Sequence, residues 1–211
     1  MAFPDKLCVN THSSIRIQTE KAVVYLDPFR LETAPHDADV VFFTHEHFDH
    51  FSPEDVKKVL NEDTVFVMPV GMEKAAAKVV QAHCVLSVAP GGSGSVKGLD
   101  FEAVAAYNPK KRFHPKKQGW VGYVLTVDGQ RVYVAGDTDV TPEAEAVRCD
   151  VALLPIGGTY TMNAAEAAAL ANKLRPELVI PIHYGSVAGD PEDFSAFAAA
   201  VDPAIRVCRV I

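Results

Sequence analysis

The chain has 211 residues, enough for one domain or for two closely packed halves with a substantial core. Apolar residues make up 48% and charged residues 22%, which is ordinary for a globular protein, and no apolar run is long enough to span a bilayer. The net charge of -7 argues against a protein that coats nucleic acid, because that role needs a basic surface.

The first part of the chain is rich in predicted strands, and the last third alternates strands with helices. Ser52 and Asn163 are suitable helix caps, Pro53 suits a first helical position, and Asp128-Gly129 is a strong turn between two strands. This order favours two sheets sandwiched between helices, an α/β (α+β) architecture formed as one domain over residues 1–211. The predicted strands are 7–10, 14–19, 22–26, 40–44, 64–68, 85–88, 101–107, 120–127, 131–135, 150–155, 178–182 and 205–210; the predicted helices are 54–60, 73–81, 164–174 and 192–201, and 91–95 is interpreted as a flexible turn.

Four potential metal ligands lie within six positions of segment 44–50, THEHFDH. The segment lies between a predicted buried strand and a predicted helix, where a turn can direct several side chains into one cavity. Side chains alternate in an extended segment, so His45 and His47 can share one ion, and Asp49 and His50 can face a second once the chain bends. Two adjacent metals can hold a hydroxide and polarise a substrate oxygen. The alternative is a histidine-rich surface turn that binds metal only by chance.

Two later strand ends carry further candidate ligands. Asp137 follows a predicted strand and Gly136, and it is well placed to bridge two metals, although a turn or helix-cap aspartate is the alternative. His183 ends the segment 179–183, where a lone histidine is more often a hydrogen-bonded core residue. The presence of the 44–50 segment favours metal binding for both.

These segments together resemble the metallo-β-lactamase superfamily, and within it the small bacterial and archaeal hydrolases similar to ascorbate-phosphate lactonase. Segments 11–14, 26–29 and 154–162 support the resemblance, which covers nearly the whole chain. The resemblance implies a four-layer αβ/βα sandwich with the metals at one edge between the sheets. It also implies one metal on His45 and His47, a second on Asp49, His50 and His183, and Asp137 as the bridge.

One expected ligand is missing from the chain. The family usually places a histidine at the end of the strand predicted over 101–107, where this chain has Asn108. His114 is the only histidine between His83 and His183, so we favour it as the replacement ligand. An amide oxygen of Asn108, with His114 in a solvated loop, is the alternative.

The loop around His114 is strongly basic. Five cations lie within eight positions of an otherwise acidic protein: Lys110, Lys111, Arg112, Lys116 and Lys117. A basic lid beside two metals would favour an anionic substrate such as a phosphate or carboxylate ester. An ordinary charged surface loop is the alternative.

Other residues have supporting roles by resemblance. Asp27 is expected to accept the spare N–H of a metal-binding histidine, unless it is only a turn residue. His12 is interpreted either as part of the cavity wall or as a packed histidine at a strand end. Tyr160 and Thr161 are expected to line the pocket.

These observations predict a metal-dependent hydrolase that uses a metal-bridging hydroxide. Two divalent ions, zinc first and manganese or iron as options, would lower the pKa of a shared water. The catalytic residues would be Asp49, which would orient the water and move its proton, and Asp137. The expected partner is a small anionic ester, lactone or phosphodiester, with no membrane and no nucleic acid.

Three other functions remain open. A di-iron redox protein on the same fold usually has glutamate at the position of His47. A nucleic-acid-processing phosphodiesterase usually adds a clamp or an extra domain. A non-catalytic metal-binding protein stays an alternative because of the departure at Asn108.

The four cysteines are far apart in the sequence and have no spacing typical of a metal site. They are interpreted as buried, reduced thiols. Because no signal peptide is visible, we expect a cytoplasmic location. The cysteines are Cys8, Cys84, Cys149 and Cys208.

Overall fold

The computed structural model describes residues 6–81 and 83–211, and these form two β-sheets with helices on their outer faces. The helices are α1 (Pro53–Val59), α2 (Glu73–Val80), α3 (Pro142–Glu145), α4 (Ala164–Leu174) and α5 (Asp193–Ala200), and a short 3-10 helix spans Lys116–Gln118. The strands are β1 (Leu7–Thr11), β2 (Ser14–Gln18), β3 (Val23–Leu26), β4 (Ala38–Phe42), β5 (Leu60–Pro69), β6 (Cys84–Val88), β7 (Ser93–Val96), β8 (Leu99–Ala105), β9 (Val121–Val127), β10 (Gln130–Val134), β11 (Val151–Pro155), β12 (Leu178–Ile182) and β13 (Arg206–Val207).

Each sheet has an antiparallel part and a parallel part. The first sheet has the order β1-β2-β3-β4-β5-β6, antiparallel from β1 to β3 and parallel from β3 to β6. The second has the order β13-β12-β11-β10-β9-β8-β7, parallel from β13 to β10 and antiparallel from β10 to β7. The carboxyl ends of the parallel strands β10, β11 and β12 therefore meet at one edge of the second sheet.

Three apolar clusters give the molecule four layers. The first lies between the sheets, where the rings of Phe42 and Tyr123 meet at 5.0 Å. The second lies under α1 and α2 on the outer face of the first sheet and includes Val56 and Phe66. The third lies under α4 and α5 on the second sheet and includes Phe197. The predicted αβ/βα sandwich is confirmed, and none of the helices in the described ranges is long and apolar enough to cross a membrane.

Local sequence signals explain where two of the helices begin. The Ser52 hydroxyl accepts a hydrogen bond from the Asp55 amide, and Pro53 occupies the first turn of α1. At α4, Asn163 and Glu166 form a reciprocal capping box with both hydrogen bonds at 2.9 Å. Both predicted caps are confirmed, and α1 begins directly after the 44–50 segment.

Two sequence predictions about strands need correction. Residues 91–95 were expected to be a flexible turn, but Ser93–Val96 forms β7 at the edge of the second sheet, where the Phe101 ring lies against Gly94. This strand is held by pairing with β8 and not by side-chain alternation, so its pattern is weak. The last strand was expected over 205–210, whereas β13 contains only Arg206–Val207.

The four cysteines are free thiols, but the expectation that they are buried is wrong, because none of them is fully buried. Cys8 and Cys84 are exposed, and Cys149 and Cys208 are partly exposed. Burial raises the pKa of the Cys149 thiol to about 12. Strand-like sequence did not distinguish inward from outward positions at these sites.

Candidate metal centre

Three loops at one edge of the two sheets carry most of the predicted metal ligands. The first loop connects β4 to α1, the second follows β10, and the third follows β12. Because β4 lies in one sheet and β10 and β12 in the other, the loops meet across the edge of the sandwich. The first carries His45, His47, Asp49 and His50, the second carries Asp137, and the third carries His183.

Backbone contacts between the sheets hold these loops together. The His183 amide donates to the His12 carbonyl at 3.0 Å, and the Val121 amide donates to the Thr44 carbonyl at 3.2 Å. Gly136 has φ 65°, and a Cβ atom there would lie 3.2 Å from the Thr44 Cβ. The glycine therefore allows the chain before Asp137 to approach the 44–50 segment closely.

Three residues at this edge adopt backbone conformations that are rare for residues other than glycine. His12, Asp27 and His183 have φ angles of 55°, 46° and 57°. Such conformations cost of order 1–3 kcal/mol each and persist where the surrounding contacts enforce them. All three side chains are buried and take part in the contacts described below.

One group of four side chains, called here the buried cluster, consists of His12, Asp49, His50 and His183, with one ligand atom of each within 4.8 Å of the others. The Asp49 Oδ2 atom lies 3.1 Å from the Nε2 of His12 and 3.7 Å from that of His183. Sequence reasoning placed three of these residues together but did not include His12. The signal was its position in the 11–14 segment at a strand end.

A second group, called here the open cluster, consists of His45, His47 and His114. The Nδ1 atom of His47 lies 3.0 Å from the Nε2 of His45 and 3.2 Å from the Nε2 of His114. The Trp120 ring packs beside all three imidazoles, with centroid distances of 4.8 to 5.4 Å. The structure thus brings His114 to the position that the sequence prediction favoured.

Asp137 lies between the two clusters. Its Oδ2 atom is 3.2 Å from the Nε2 of His114 and 3.1 Å from the Nε2 of His183. Its Oδ1 atom is 3.2 Å from the Nε2 of His50. A carboxylate in this position can contact ions on both sides.

Several buried polar atoms at this centre have no hydrogen-bond partner among the described residues. They are the Nε2 of His50, the Oδ1 of Asp137 and both ring nitrogens of His183. Leaving such an atom unpaired normally costs about 1–3 kcal/mol. Nitrogen and oxygen atoms that converge without hydrogen-bond geometry fit a divalent cation, which is bound by imidazole and carboxylate groups.

The protonation states differ between the histidines of this centre: the Asp137 carboxylate outweighs burial and raises the pKa of His50 and His183, so a metal ion would displace a proton from them. Burial lowers the pKa of His45 and of His47, which favours the neutral imidazole that a metal requires. Burial alone would raise the pKa of Asp49, but the hydrogen bond from His12 and the nearby imidazole of His183 hold it below its usual range. Burial likewise opposes ionisation of Asp137, but the charges of His183 and His50 lower its pKa. Both acids are therefore carboxylates at neutral pH.

Asp27 supports the buried cluster from behind. Its Oδ2 atom lies 2.7 Å from the Nδ1 of His50, and its Oδ1 accepts the Thr44 amide at 2.8 Å. The predicted hydrogen bond from a cluster histidine to Asp27 is confirmed. It leaves the Nε2 of His50 directed at Asp137.

His12 supports Asp49 in a similar way. Burial lowers the pKa of His12 to about 4, so its ring is neutral at neutral pH. Because the Asp49 carboxylate only accepts hydrogen bonds, the Nε2 of His12 is the donor, and its Nδ1 accepts from the Ser186 hydroxyl at 3.3 Å. His12 is fully buried beneath the cavity, so the packed interpretation is the correct one.

Asn108 holds His114 and does not compete with it. The Asn108 Oδ1 accepts from the His114 backbone amide at 3.1 Å and lies 2.9 Å from its Nδ1. The Asn108 amide group donates to the Tyr160 carbonyl at 3.0 Å. The residue that replaces the family's histidine thus orients a histidine from the following loop.

A cavity of about 280 Å³ opens directly above the open cluster. Its polar lining comes from His47, Asp49, His114 and Asp137. Tyr160 lines it as predicted, whereas Thr161 is fully buried and is not part of the wall. The full apolar lining is Phe48, Phe113, Tyr160 and Val187.

The basic loop contributes Phe113 and His114 to this cavity, but the predicted lid of cations is wrong. None of its five cations lines the cavity. Lys111 pairs with Asp139 at 2.6 Å, and Lys116 pairs with Glu143 at 2.6 Å. These two acids neutralise two of the loop's charges. Because they lie far away in the sequence, the composition of the loop did not reveal this pairing.

A sandwich of two mixed sheets with histidines and aspartates gathered at one edge defines the metallo-β-lactamase class of fold. A family model described as the beta-lactamase superfamily domain matches residues 6–183. The chain belongs to this superfamily.

Its relatives support the same assignment. A metal-dependent hydrolase of Methanosphaerula palustris is 32% identical over 212 residues, which covers 96% of this chain and 91% of the relative. A solved structure from Parabacteroides distasonis has a TM-score of 0.79 and 30% identity, and covers 96% of this chain and 91% of its own. The metallo hydrolase Igni18 of Ignicoccus hospitalis has a TM-score of 0.75 and 25% identity, and the match covers 96% of this chain and 93% of Igni18.

Proposed function

We propose that this protein is a metal-dependent hydrolase that holds two divalent ions, zinc in first place and manganese or iron as options. Its substrate would be a small anionic ester, a lactone or a phosphodiester. The observation that carries the proposal is the convergence of two ligand clusters, joined by Asp137, beneath a small cavity. Relatives that share nearly the whole chain are named metal-dependent hydrolases.

The ligand assignment follows the two clusters. The open cluster would hold one ion, Asp49 with His50 and His183 would hold the other, and Asp137 would contact both. When bound, the ions would supply a bridging hydroxide near neutral pH and an electrophile for the substrate oxygen.

Asp49 is the proposed proton-transfer group. It lines the cavity and is a carboxylate at neutral pH, and its Oδ2 is fixed by His12. A carboxylate with one oxygen held from behind can orient the attacking water with its other oxygen and accept the proton.

The substrate limits follow from the cavity. A volume of about 280 Å³ lies at the lower end of small-molecule pockets. Negative charge on the substrate would be balanced by the ions, because none of the five loop cations lines the cavity and two of them, Lys111 and Lys116, pair with acids elsewhere.

Elemental analysis of the purified protein, combined with a screen of phosphodiesters, lactones and thioesters, tests this proposal. We expect two metal equivalents, hydrolysis that stops on chelation, and recovery when zinc or manganese is restored. Asp49→Asn should lose turnover, and Glu46→Gln, an exposed neighbour, is the matched control. Full activity after verified metal removal would contradict the mechanism, and iron with a visible absorption spectrum would favour the redox alternative.

A further inference from the structure

The cavity above the open cluster has an unusual exposed wall. Among the described residues, four large apolar side chains are exposed: Phe48 at 67%, Val70 at 56%, Phe113 at 44% and Leu86 at 36%. Phe48 and Phe113 both line this one cavity. Exposed apolar groups gathered at one concave site mark a binding surface more often than isolated ones do.

Neighbouring rings support both phenylalanines. The Phe113 ring meets the Tyr160 ring edge to face at 4.7 Å, and the Phe48 ring meets that of Phe29 at 6.2 Å. Val187 completes the apolar side. These side chains therefore form a supported surface, called here the apolar wall: Phe48, Phe113, Tyr160 and Val187.

The polar and apolar parts of the lining are arranged for two different parts of one ligand. At the metal centre, the Nε2 of His114 lies 3.2 Å from the Nδ1 of His47 and 3.2 Å from the Oδ2 of Asp137. Within the described part of the chain, no lysine or arginine contributes to the lining, so nothing in the wall itself recognises an anion. A reacting ester group would sit at the metal centre, and the rest of the molecule would contact the wall.

We propose that the substrate carries an apolar group of about one ring in size next to the bond that is cleaved. An enclosed apolar cavity of about 150 Å³ is known to hold benzene, so the 280 Å³ here has room for such a ring together with an ester or lactone group. This inference rests on the proposed hydrolase function and refines its substrate class towards aryl or alkyl esters and lactones.

A pair of metal-directed probes tests the inference without knowledge of the natural substrate. Acetohydroxamate and benzohydroxamate share one chelating group and differ in a methyl against a phenyl substituent. We expect zinc-loaded protein to bind benzohydroxamate at least ten times more tightly by calorimetry. The ratio of the two dissociation constants should fall towards one in Phe113→Ala and in Phe48→Ala. It should stay unchanged in Leu86→Ala, which removes an exposed apolar side chain outside the cavity.

The outcomes separate this inference from the function on which it rests. Equal affinities for the two probes in the unaltered protein would overturn the apolar substrate group while leaving a metal-dependent site in place. A ratio that is unchanged in both phenylalanine variants would overturn the role of the wall. If neither probe binds, the inference fails, and the metal content of the same sample shows whether the proposed function has failed with it.

Discussion

The two ligand clusters differ in how their side chains are held. In the buried cluster, His50 is fixed by Asp27, and Asp49 is fixed by His12, which is itself bonded to Ser186. The open cluster is held differently: the Asn108 oxygen contacts the backbone amide and the Nδ1 of His114, and the Trp120 ring packs beside all three imidazoles. His47 is partly exposed, and His114 comes from an irregular loop. One half of the centre is thus fixed by buried hydrogen bonds, and the other by a loop contact beside the cavity.

This difference predicts that the two clusters bind metal with different affinities. Ligands that are oriented by outer hydrogen bonds lose less conformational freedom on binding metal, so the buried cluster is expected to hold its ion more tightly. Two residues of the open cluster also line the cavity where the substrate would bind.

The largest effect is expected from Asp137→Ala, because Asp137 contacts both clusters. Metal content should fall from two equivalents to less than one, and hydrolysis should fall by more than about 100-fold, beyond the usual cost of losing an outer partner. Metal analysis and turnover measure the two effects. Asp139→Ala, which removes an acid paired with Lys111, is the control. If the Asp137→Ala variant keeps both ions, Asp137 does not bridge them.

His183→Ala and His114→Ala are expected to separate the clusters. Each should lose one metal equivalent, but His183→Ala should lose the tightly held ion and His114→Ala the weakly held one. Competition with chelators of graded affinity distinguishes the two ions. The exposed His36, changed to Ala, is the control. If His114→Ala leaves both metal content and affinity unchanged, His114 is not a ligand.

Asp27→Asn is expected to weaken only the tightly held ion. The change removes the charge that supports the Nδ1–H of His50, and loss of such a partner typically costs about 10- to 100-fold in metal affinity. The same chelator competition measures it, with Asp37→Asn on the surface as the control. An equal loss at both sites would show that the clusters are not independent.

Asn108→Ala is expected to weaken only the loosely held ion, by about tenfold, because His114 loses its two contacts to the Asn108 oxygen. Asn172→Ala, which removes a hydrogen bond between α4 and the end of α5, is a distant control. A larger loss than that of His114→Ala would mean that Asn108 is itself a ligand.

The smallest effect is expected from Ser52→Ala. Removing this cap should lower the free energy of unfolding by about 1 kcal/mol, as measured by urea titration. The affinity for both ions should not change, because the buried cluster is fixed by its own hydrogen bonds and not by the first turn of α1. A parallel loss of the tightly held ion would link the buried cluster to α1.

Some features of the fold were readable from short segments because their causes are local. The caps Ser52 and Asn163 and the hairpin at Asp128-Gly129 depend on neighbours a few residues away. The edge strand β7 was missed because its stability comes from pairing with β8, which the residues of 93–96 do not reveal.

The candidate site was readable in its residue types and in one support, Asp27, but not in its other supports. The 44–50 segment, Asp137 and His183 could be selected because strand ends and imidazole spacing carry a chemical signal. The contact between His12 and Asp49 joins residues 37 positions apart, and that between Asn108 and Tyr160 joins residues 52 apart. Such contacts have no sequence period, so only the folded chain shows them.

The motifs and their order indicated the superfamily by resemblance, and the order of strands and helices predicted two sheets between helices. How the ligand groups are held, and what surrounds them, emerged only from the folded chain, which added His12 to the buried cluster. Folding paired Lys111 and Lys116 with distant acids and placed Phe48 and Phe113 at the cavity. Charge neutralisation and pocket shape depend on distances between segments, and a linear pattern does not contain those distances.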